Sequence, residues 1–237
     1  MAPDYHYQGQ ELTLFEEARN WKQYLAENIS EYIQGTVLEA GAGLGETTAY
    51  LLNKNVSDWL CLEPDEKLVN HINQKIIDKQ LPNVCRVLQG DLSALDKGDQ
   101  FDTIVYIDVL EHIEQDKLEL EKAAGYLKNG GHLVVLSPAF QFLYSPFDKA
   151  IGHFRRYDKA SLRKIKPGTM VEKKMFYLES SGMLLLLINR FLSGKSYPSR
   201  TTVKFWDKVF IPVSRVIDKI IFHSFGKTII GIWQKQS

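Results

Sequence analysis

Cysteine is scarce, with only Cys61 and Cys85 in 237 residues. The two share no metal-ligand spacing and both sit inside apolar runs. That excludes a disulfide-stapled scaffold and a cysteine-held zinc site, and leaves two reduced core thiols in a cytoplasmic protein as the expectation. No apolar run reaches the ~20 residues that a membrane span needs, and the opening MAPDYHYQGQEL has no basic-then-apolar leader pattern. Internal repeats and low-complexity linkers are missing too. So are an arginine-rich tail and an aromatic-interleaved basic strand, so no nucleic-acid partner is expected. What is present, 44% apolar and 24% charged residues, is globular in character and long enough for one domain with an elaborated end.

Net charge is zero, but it is unevenly spread. Residues 1–148 hold 11 Lys+Arg against 24 Asp+Glu, and residues 149–237 hold 18 against 5. Such a split points either to an anionic partner for the second half or to attraction between the halves within one fold.

Apolar periodicity predicts a helix over 13–33, with Thr13 and Glu16 as a capping box. Short strands and helices then alternate: strands at 36–41, 59–63, 84–89, 101–107 and 132–137, and helices at 46–54, after Asp65, and over about 114–127. Asn129-Gly130-Gly131 reads as the turn before the fifth strand. This rhythm argues for a parallel sheet covered by helices on both faces. Beyond residue 138 it gives way to strands at 170–178 and 227–235, separated by an aromatic-rich insertion. Within the insertion Val213, Val216, Ile217, Ile220 and Ile221 form an apolar helical stripe, with Arg215, Asp218 and Lys219 opposite. One domain, 1–237, is expected, with a helical cover over about 1–34 and a helical cap over about 179–225.

The stretch VLEAGAGLGETT (37–48) places Gly41, Gly43 and Gly45 directly after the first strand, at the sheet edge where open parallel sheets bind ligands. The dinucleotide fingerprint G-x-G-x-x-G fails at its third glycine, which is Glu46, an acid expected to repel a pyrophosphate. No Lys-Ser/Thr follows the glycines, so a Walker-type phosphate loop is excluded. Glu39 and Glu46 instead tolerate an amino group or a sulfonium. Glu63, 18 residues after Gly45, ends the second strand where a carboxylate can accept both ribose hydroxyls. Asp91 ends the third strand, placed to accept from an adenine amino group while Leu92 packs on the ring.

Together VLEAGAGLGETT, CLEPDEKLV, LQGDL and FDTIVYIDVLEHI resemble the class I S-adenosylmethionine-dependent methyltransferases, in the flavour of the ubiquinone-biosynthesis O-methyltransferases, over about residues 30–140. The resemblance implies a Rossmann-like seven-stranded sheet of order 3-2-1-4-5-7-6 with strand 7 antiparallel, and S-adenosyl-L-methionine as cofactor. By it Glu39, Gly41 and Gly43 hold the methionine end, Glu63 the ribose, and Asp91 with Leu92 the adenine. Asp108 and Val109 line the site beside the methyl group.

For the acceptor, a hydroxyl needs a base with a pKa near working pH, and His112 and His153 follow the fourth and fifth strands. The amino-base methyltransferases that resemble this class carry Asn/Asp-Pro-Pro-aromatic after strand four; here that place reads DVLE. In AIGHFRRYDKASL (150–162), Arg155 and Arg156 either clamp an anionic acceptor or brace the loop through carboxylates such as Asp148 or Asp158. Tyr144 and Tyr157 join them as candidate acceptor-binding residues. O-methylation of a small or lipid-linked anionic acceptor is the leading expectation. N- or C-methylation is the alternative, and so is a non-catalytic, cofactor-binding regulatory subunit; a dehydrogenase is opposed by Glu46. The segment 182–225, with 7 Lys+Arg against 2 Asp, is expected to cap the acceptor site, and either to touch an anionic membrane or simply to pack on the sheet. Asp108, Glu111, His112 and His153 also form a candidate divalent-metal set, by spacing and by resemblance to small-RNA 3′-terminal 2′-O-methyltransferases.

Overall fold

The computed structural model describes residues 11–192 and 199–236. Seven strands form one sheet: β1 (Gly35–Ala40), β2 (Val56–Glu63), β3 (Cys85–Gln89), β4 (Phe101–Ile107), β5 (Leu127–Pro138), β6 (Met170–Leu178) and β7 (Thr228–Lys235). Their order is β3-β2-β1-β4-β5-β7-β6. β1 to β5 run parallel, and β7 runs antiparallel to both β5 and β6.

Alternation along the strands builds two cores, one on each face. Leu38, Leu60, Leu62, Ile104, Tyr106 and Val135 pack on one side, and Val37, Trp59, Cys61, Val105, Val134 and Leu136 on the other. The inner strands read as continuous apolar runs because both faces are covered. Cys61 and Cys85 are free, buried thiols.

The first helical stretch is two helices, α1 (Glu11–Phe15) and α2 (Arg19–Ile29), rather than one over 13–33. The break has a distant cause. Asp207 accepts from the backbone N–H of Asn20 (3.2 Å) and of Trp21 (2.9 Å), and so caps α2 from the far end of the chain. Thr13 lies inside α1 and Glu16 directly after it, so neither stands at the start of α2. The predicted 46–54 helix shrinks to α3 (Thr48–Leu51), after which the Asn53 side chain donates to Leu51 O. Helix α4 (Glu66–Ile77) is capped by Asp65, which accepts from Lys67 N and Leu68 N. Helix α5 (Asp116–Gly125) follows β4. The expected turn at 129–131 lies inside β5, where the register shifts opposite Phe101 and Thr103. A Cβ on Gly131 would stand 2.9 Å from Lys128 O, so the irregularity needs glycine.

After β5 come α6 (Pro146–Ala150) and α7 (Lys159–Lys164); after β6, α8 (Ser180–Leu192), α9 (Arg200–Phe205) and α10 (Ile211–Ile220). One π turn, Trp206–Phe210, joins α9 to α10. The start of the expected N-terminal cover, residues 1–10, and residues 193–198 of the expected cap lie outside the described residues.

Of the two orientations open for the α10 stripe, the structure shows the outward one. Val213, Val216, Ile217 and Ile220 face outward, while Ile211, Ser214 and Asp218 face inward. Asp218 is fully buried because it accepts from Glu179 N (2.8 Å), Ser180 N (3.0 Å) and the Tyr24 hydroxyl (2.9 Å), fastening α8 and α2 together. Three hydrogen bonds to a charged acceptor outweigh the burial of a few aliphatic groups on this helix. Asp218→Ala is expected to lower the unfolding free energy by roughly 3 kcal/mol or more, by leaving three buried donors unpaired. Val216→Ser should cost under about 0.5 kcal/mol. Urea titration of the two variants checks both, and equal costs would place the stripe inside.

Candidate functional site

Strand order reverses between β1 and β4, and the chain after each strand lines a cavity of about 1140 Å³ at their carboxyl ends. Its first wall is the glycine loop. Gly41 and Ala42 donate to Leu62 O, which turns the chain sharply off β1. Gly41 has φ +70°, and a Cβ there would meet Val109 Cγ2 at 2.6 Å, so both conformation and space demand glycine. Gly43, at φ +57°, donates its N–H to Glu63 Oε2 (2.8 Å), while Asp65 N donates to Glu63 Oε1 (3.0 Å). Each Glu63 oxygen keeps a lone pair for a ligand. Glu39 accepts from Thr48 Oγ1 and from Trp59 Nε1 (3.0 Å), so one of its oxygens faces inward. Asp91 accepts from Ser93 N (2.8 Å), and its hydrogen bonds with Ser93 hold its carboxyl below the ordinary range. Glu39, Gly41, Gly43, Glu63, Asp91, Leu92, Asp108 and Val109 thus share one cavity wall. A lined glycine turn followed by a carboxylate with free lone pairs fits a nucleoside carrying vicinal hydroxyls.

Glu46 is not the open acid the sequence suggested. It pairs with Lys75, and Lys22 stands 3.5 Å from its other oxygen. Its charge is compensated locally, so it neither repels a pyrophosphate nor attracts a cation strongly. Burial, by contrast, pushes the carboxyls of Glu39 and Glu63 up to about 7. Burial, with the Glu179 charge nearby, does the same for Asp108.

The second wall holds the titratable cluster. Asp108 (φ +53°) and Glu179 (φ +66°) end β4 and β6 in the left-handed region that non-glycine residues rarely adopt. Glu179 is paired with Lys227 Nζ (3.1 Å) and accepts from Thr228 Oγ1 (2.6 Å); the same ammonium lies 4.1 Å from the centroid of Trp206. Glu111, in the 3₁₀ turn Leu110–His112, is fully buried, and neither of its oxygens has a hydrogen-bond partner. Burial and the Asp108 charge hold its carboxyl well above the ordinary range. His153 Nε2 lies 3.8 Å from Glu111 Oε1. Its Nδ1 lies 3.0 Å from Asp148 Oδ1 and donates to that carboxylate, which leaves Nε2 turned toward Glu111. The His112 ring meets the His153 ring edge-on at 4.5 Å between centroids. Burial and His153 push the His112 imidazole down to about 4.

Asp148 is the fixed point of this wall. It sits at N3 of α6 in a capping box with Ser145, and Arg156 grips it with Nε (2.8 Å) and Nη2 (3.0 Å). Burial would raise its carboxyl, but the hydrogen bonds from His153 and Arg156 hold it well below the ordinary range. The arginine pair therefore braces the loop. Arg155 pairs with Asp116 (2.5 Å) and donates to Glu114 O, and Tyr157 donates to Asp116 Oδ2 (2.7 Å) from a buried position. Arg155 and Tyr157 lie off the cavity wall. Arg156 and Tyr144 lie on it, the latter donating to His153 O (2.6 Å). A buried carboxylate is too costly to leave unpaired, and Asp116 and Asp148 claim both guanidiniums. Asp158, the other partner considered, caps α7 through Ser161 N instead.

Ligand atoms of Glu111, His112 and His153 lie within 4.8 Å of one another, a geometry that could hold a cation; Asp108 falls outside that set. Residues that sequence reasoning missed also line the cavity: Glu179, Lys227, Trp206, Trp21 and Lys22. Glu179 had a signal, an acid directly after a strand, like Glu63 and Asp91. Trp206 had none, since its direction depends on the π turn.

Residues 38–133 match the family described as a methyltransferase domain. A curated relative, (S)-coclaurine N-methyltransferase of Papaver somniferum, is 27% identical over 117 residues, which is 48% of this chain and 33% of the relative. The chain thus spans about a third of that relative's length. Among solved structures, an S-adenosylmethionine-dependent methyltransferase from Clostridium acetobutylicum superposes with a TM-score of 0.60 at 12% identity, covering 96% of this chain and 98% of the other. N-methyltransferase NodS from Bradyrhizobium japonicum gives 0.57 at 15% identity, covering 94% and 97%. These two likenesses are likenesses of fold.

The raised carboxyls set the pH dependence of stability. Glu39, Glu63 and Asp108 hold protons up to about 7 in the folded state, against about 4 when unfolded. The folded chain therefore binds more protons between these values, and the unfolding free energy should fall as pH rises from about 4.5 to 7. Glu63→Gln removes one titrating group and should flatten that slope by up to about 1.4 kcal/mol per pH unit. Asp148 has the opposite sign, its stabilisation being lost as pH falls below about 4. Denaturant titrations from pH 3 to 8 read both limbs.

Proposed function

Because residues 38–133 match a methyltransferase-domain family, we propose that the chain transfers a methyl group from S-adenosyl-L-methionine to a hydroxyl of a small or lipid-linked acceptor, with His153 as the base. The observation that carries this reading is the Asp148–His153 pair. A buried carboxylate fixed by Arg156 holds the imidazole through Nδ1 and presents Nε2 to the cavity. His112 was the other candidate base, but an imidazole held near 4 takes up a proton too weakly at neutral pH.

Bound in this site, the cofactor supplies an electrophilic methyl on a sulfonium. Residues for its other parts are those of the first wall. Glu63 offers lone pairs to the ribose hydroxyls, Asp91 and Leu92 flank the position for the base, and Glu39 with the backbone of Gly41 and Gly43 borders the amino-acid end. Asp108 and Val109 stand where donor and acceptor regions meet. Methyl transfer is an in-line displacement, so rate comes mainly from holding the acceptor oxygen against the donor while Nε2 removes its proton. An anionic acceptor loses its support, because Arg155 and Arg156 already pair with Asp116 and Asp148.

A second reading, N-methylation of an amine, is favoured by the acids of the second wall, Asp108, Glu111 and Glu179, beside Trp206. An amine N–H would find hydrogen-bond acceptors among these carboxyls. A metal on Glu111, His112 and His153 is the alternative to a histidine base, lowering the acceptor hydroxyl's pKa in its place.

By titration calorimetry the protein should bind S-adenosylhomocysteine and not NAD. Glu63→Ala should weaken that binding by about 1–3 kcal/mol, since two ribose hydroxyls lose their acceptor. Incubating cell extract with methyl-labelled donor and resolving labelled products identifies the acceptor and its atom. On that acceptor His153→Gln should lower kcat roughly 10²–10⁴-fold with cofactor affinity unchanged. Loss of turnover after exhaustive chelation, restored by Mn²⁺ or Zn²⁺, would replace the base by a metal. Labelled nitrogen in the product would replace hydroxyl by amine.

A further inference from the structure

Helices α9 and α10 and the π turn between them run without a break over residues 200–220, about 30 Å of helix at 1.5 Å per residue. One side of this rod belongs to the protein. Val203 and Trp206 face the cavity and the second core, and Ile211, Ser214 and Asp218 face α2 and α8. The other side presents Phe205, Val209, Val213, Val216, Ile217 and Ile220, with Phe222 in the turn that follows. Val216 is 60% exposed, Ile220 69% and Phe222 89%, values at which an aliphatic or phenyl group contributes nothing to the fold. A continuous apolar strip of this kind marks a surface that is covered in use.

Charge identifies the cover. Between residues 199 and 227 the acids are Asp207 and Asp218, and both are buried in hydrogen bonds to other elements. Every exposed charge along the rod is therefore positive. Lys208 and Lys219 are exposed at the margins of the strip with no ion-pair partner among the described residues. Two copies of this chain meeting strip to strip would oppose lysine to lysine. An acidic, apolar-centred plane does not.

We propose that the outward face of this rod docks on an anionic lipid surface, lying in the interface with Phe205, Val216, Ile220 and Phe222 immersed and Lys208 and Lys219 among the headgroups. No helix among the described residues is long and apolar enough to cross a membrane, so the contact is in-plane. Trp206 and Val203, on the opposite side of the same rod, line the cavity. Docking thus holds the cavity wall about one helix diameter from the lipid. Joined to the proposed methyl transfer, on which this last step rests, the geometry selects a lipid-linked acceptor over a freely diffusing one.

Co-sedimentation of the full chain with vesicles tests docking by itself, with neither donor nor acceptor present. Vesicles of phosphatidylcholine with equal phosphatidylglycerol should bind the protein at least about tenfold more tightly than phosphatidylcholine alone, and raising salt from 0.05 to 0.5 M should abolish most of the difference. V216E/I220E, at exposed positions, should lose binding about tenfold or more while its urea midpoint and its affinity for S-adenosylhomocysteine stay at wild-type values. K208E/K219E should lose the preference for the anionic vesicles. Failure of the wild-type chain to bind these vesicles at low salt would overturn the proposal, as would equal binding by V216E/I220E. A concentration-dependent dimer in light scattering that V216E/I220E abolishes would assign the strip to a second copy instead.

Discussion

Crossovers from β1 run toward one edge of the sheet and those from β4 toward the other, so no connection spans the carboxyl ends of these two adjacent strands. The rest of the site depends on that gap. The chain leaving β1 must turn at once to clear it, and Gly41 is tight against Val109 because the chain leaving β4 turns into the same space. Four strands bring an acid to the gap: Glu39 within β1, Glu63 at the end of β2, Asp108 just after β4, and Glu179 just after β6. Burial, with the charge of a neighbouring acid adding to it, raises these carboxyls above the ordinary range.

The split in charge between the two halves of the chain is mostly spent inside the molecule. Lys204 meets Glu17, Arg215 meets Glu27, Lys174 meets Glu31, and Arg155 meets Asp116. Most of these pairs are exposed and worth little energy each. Their combined effect is orientation, laying the late helices over the acidic early ones. The two late acids act differently. Asp207 and Asp218 enter the interior and accept backbone N–H groups at the starts of α2 and α8. Removing them from the surface is what leaves the α9–α10 rod with an entirely positive exterior.

Local signals carried the sheet and the donor wall. Alternation and glycine spacing are properties of neighbouring residues, so β6 and β4 could be read to the residue, and Glu39, Gly41, Gly43, Glu63, Asp91 and Asp108 could be read as one constellation. What was not legible was decided by partners far away in sequence. The α2 start is set by Asp207, 187 residues from Asn20. Amphipathicity alone left open whether the α10 stripe faces outward or packs on the sheet. Its orientation is set instead by Asp218, whose partners Glu179, Ser180 and Tyr24 no periodicity can show. For the Arg155–Arg156 pair the sequence left clamp and brace both open; Asp148 was a named brace partner, whereas Asp116, 39 residues before Arg155, gives no sign in sequence of pointing toward it.

Among the buried acids, degree of satisfaction separates frame from site. Asp148, Asp207 and Asp218 each accept two or more hydrogen bonds from groups that hold them rigidly, and removing any one would leave donors stranded. Glu111 accepts none, and Glu63 accepts one per oxygen where two are available. An interior that satisfies its structural carboxylates so fully has no packing reason to leave these two short. Under-coordination of this kind costs folding free energy, and a ligand that supplies donors recovers it on binding. A ligand carrying vicinal hydroxyls would do so at Glu63. At Glu111, 3.8 Å from His153 Nε2, a hydroxyl or a cation would supply the missing partner.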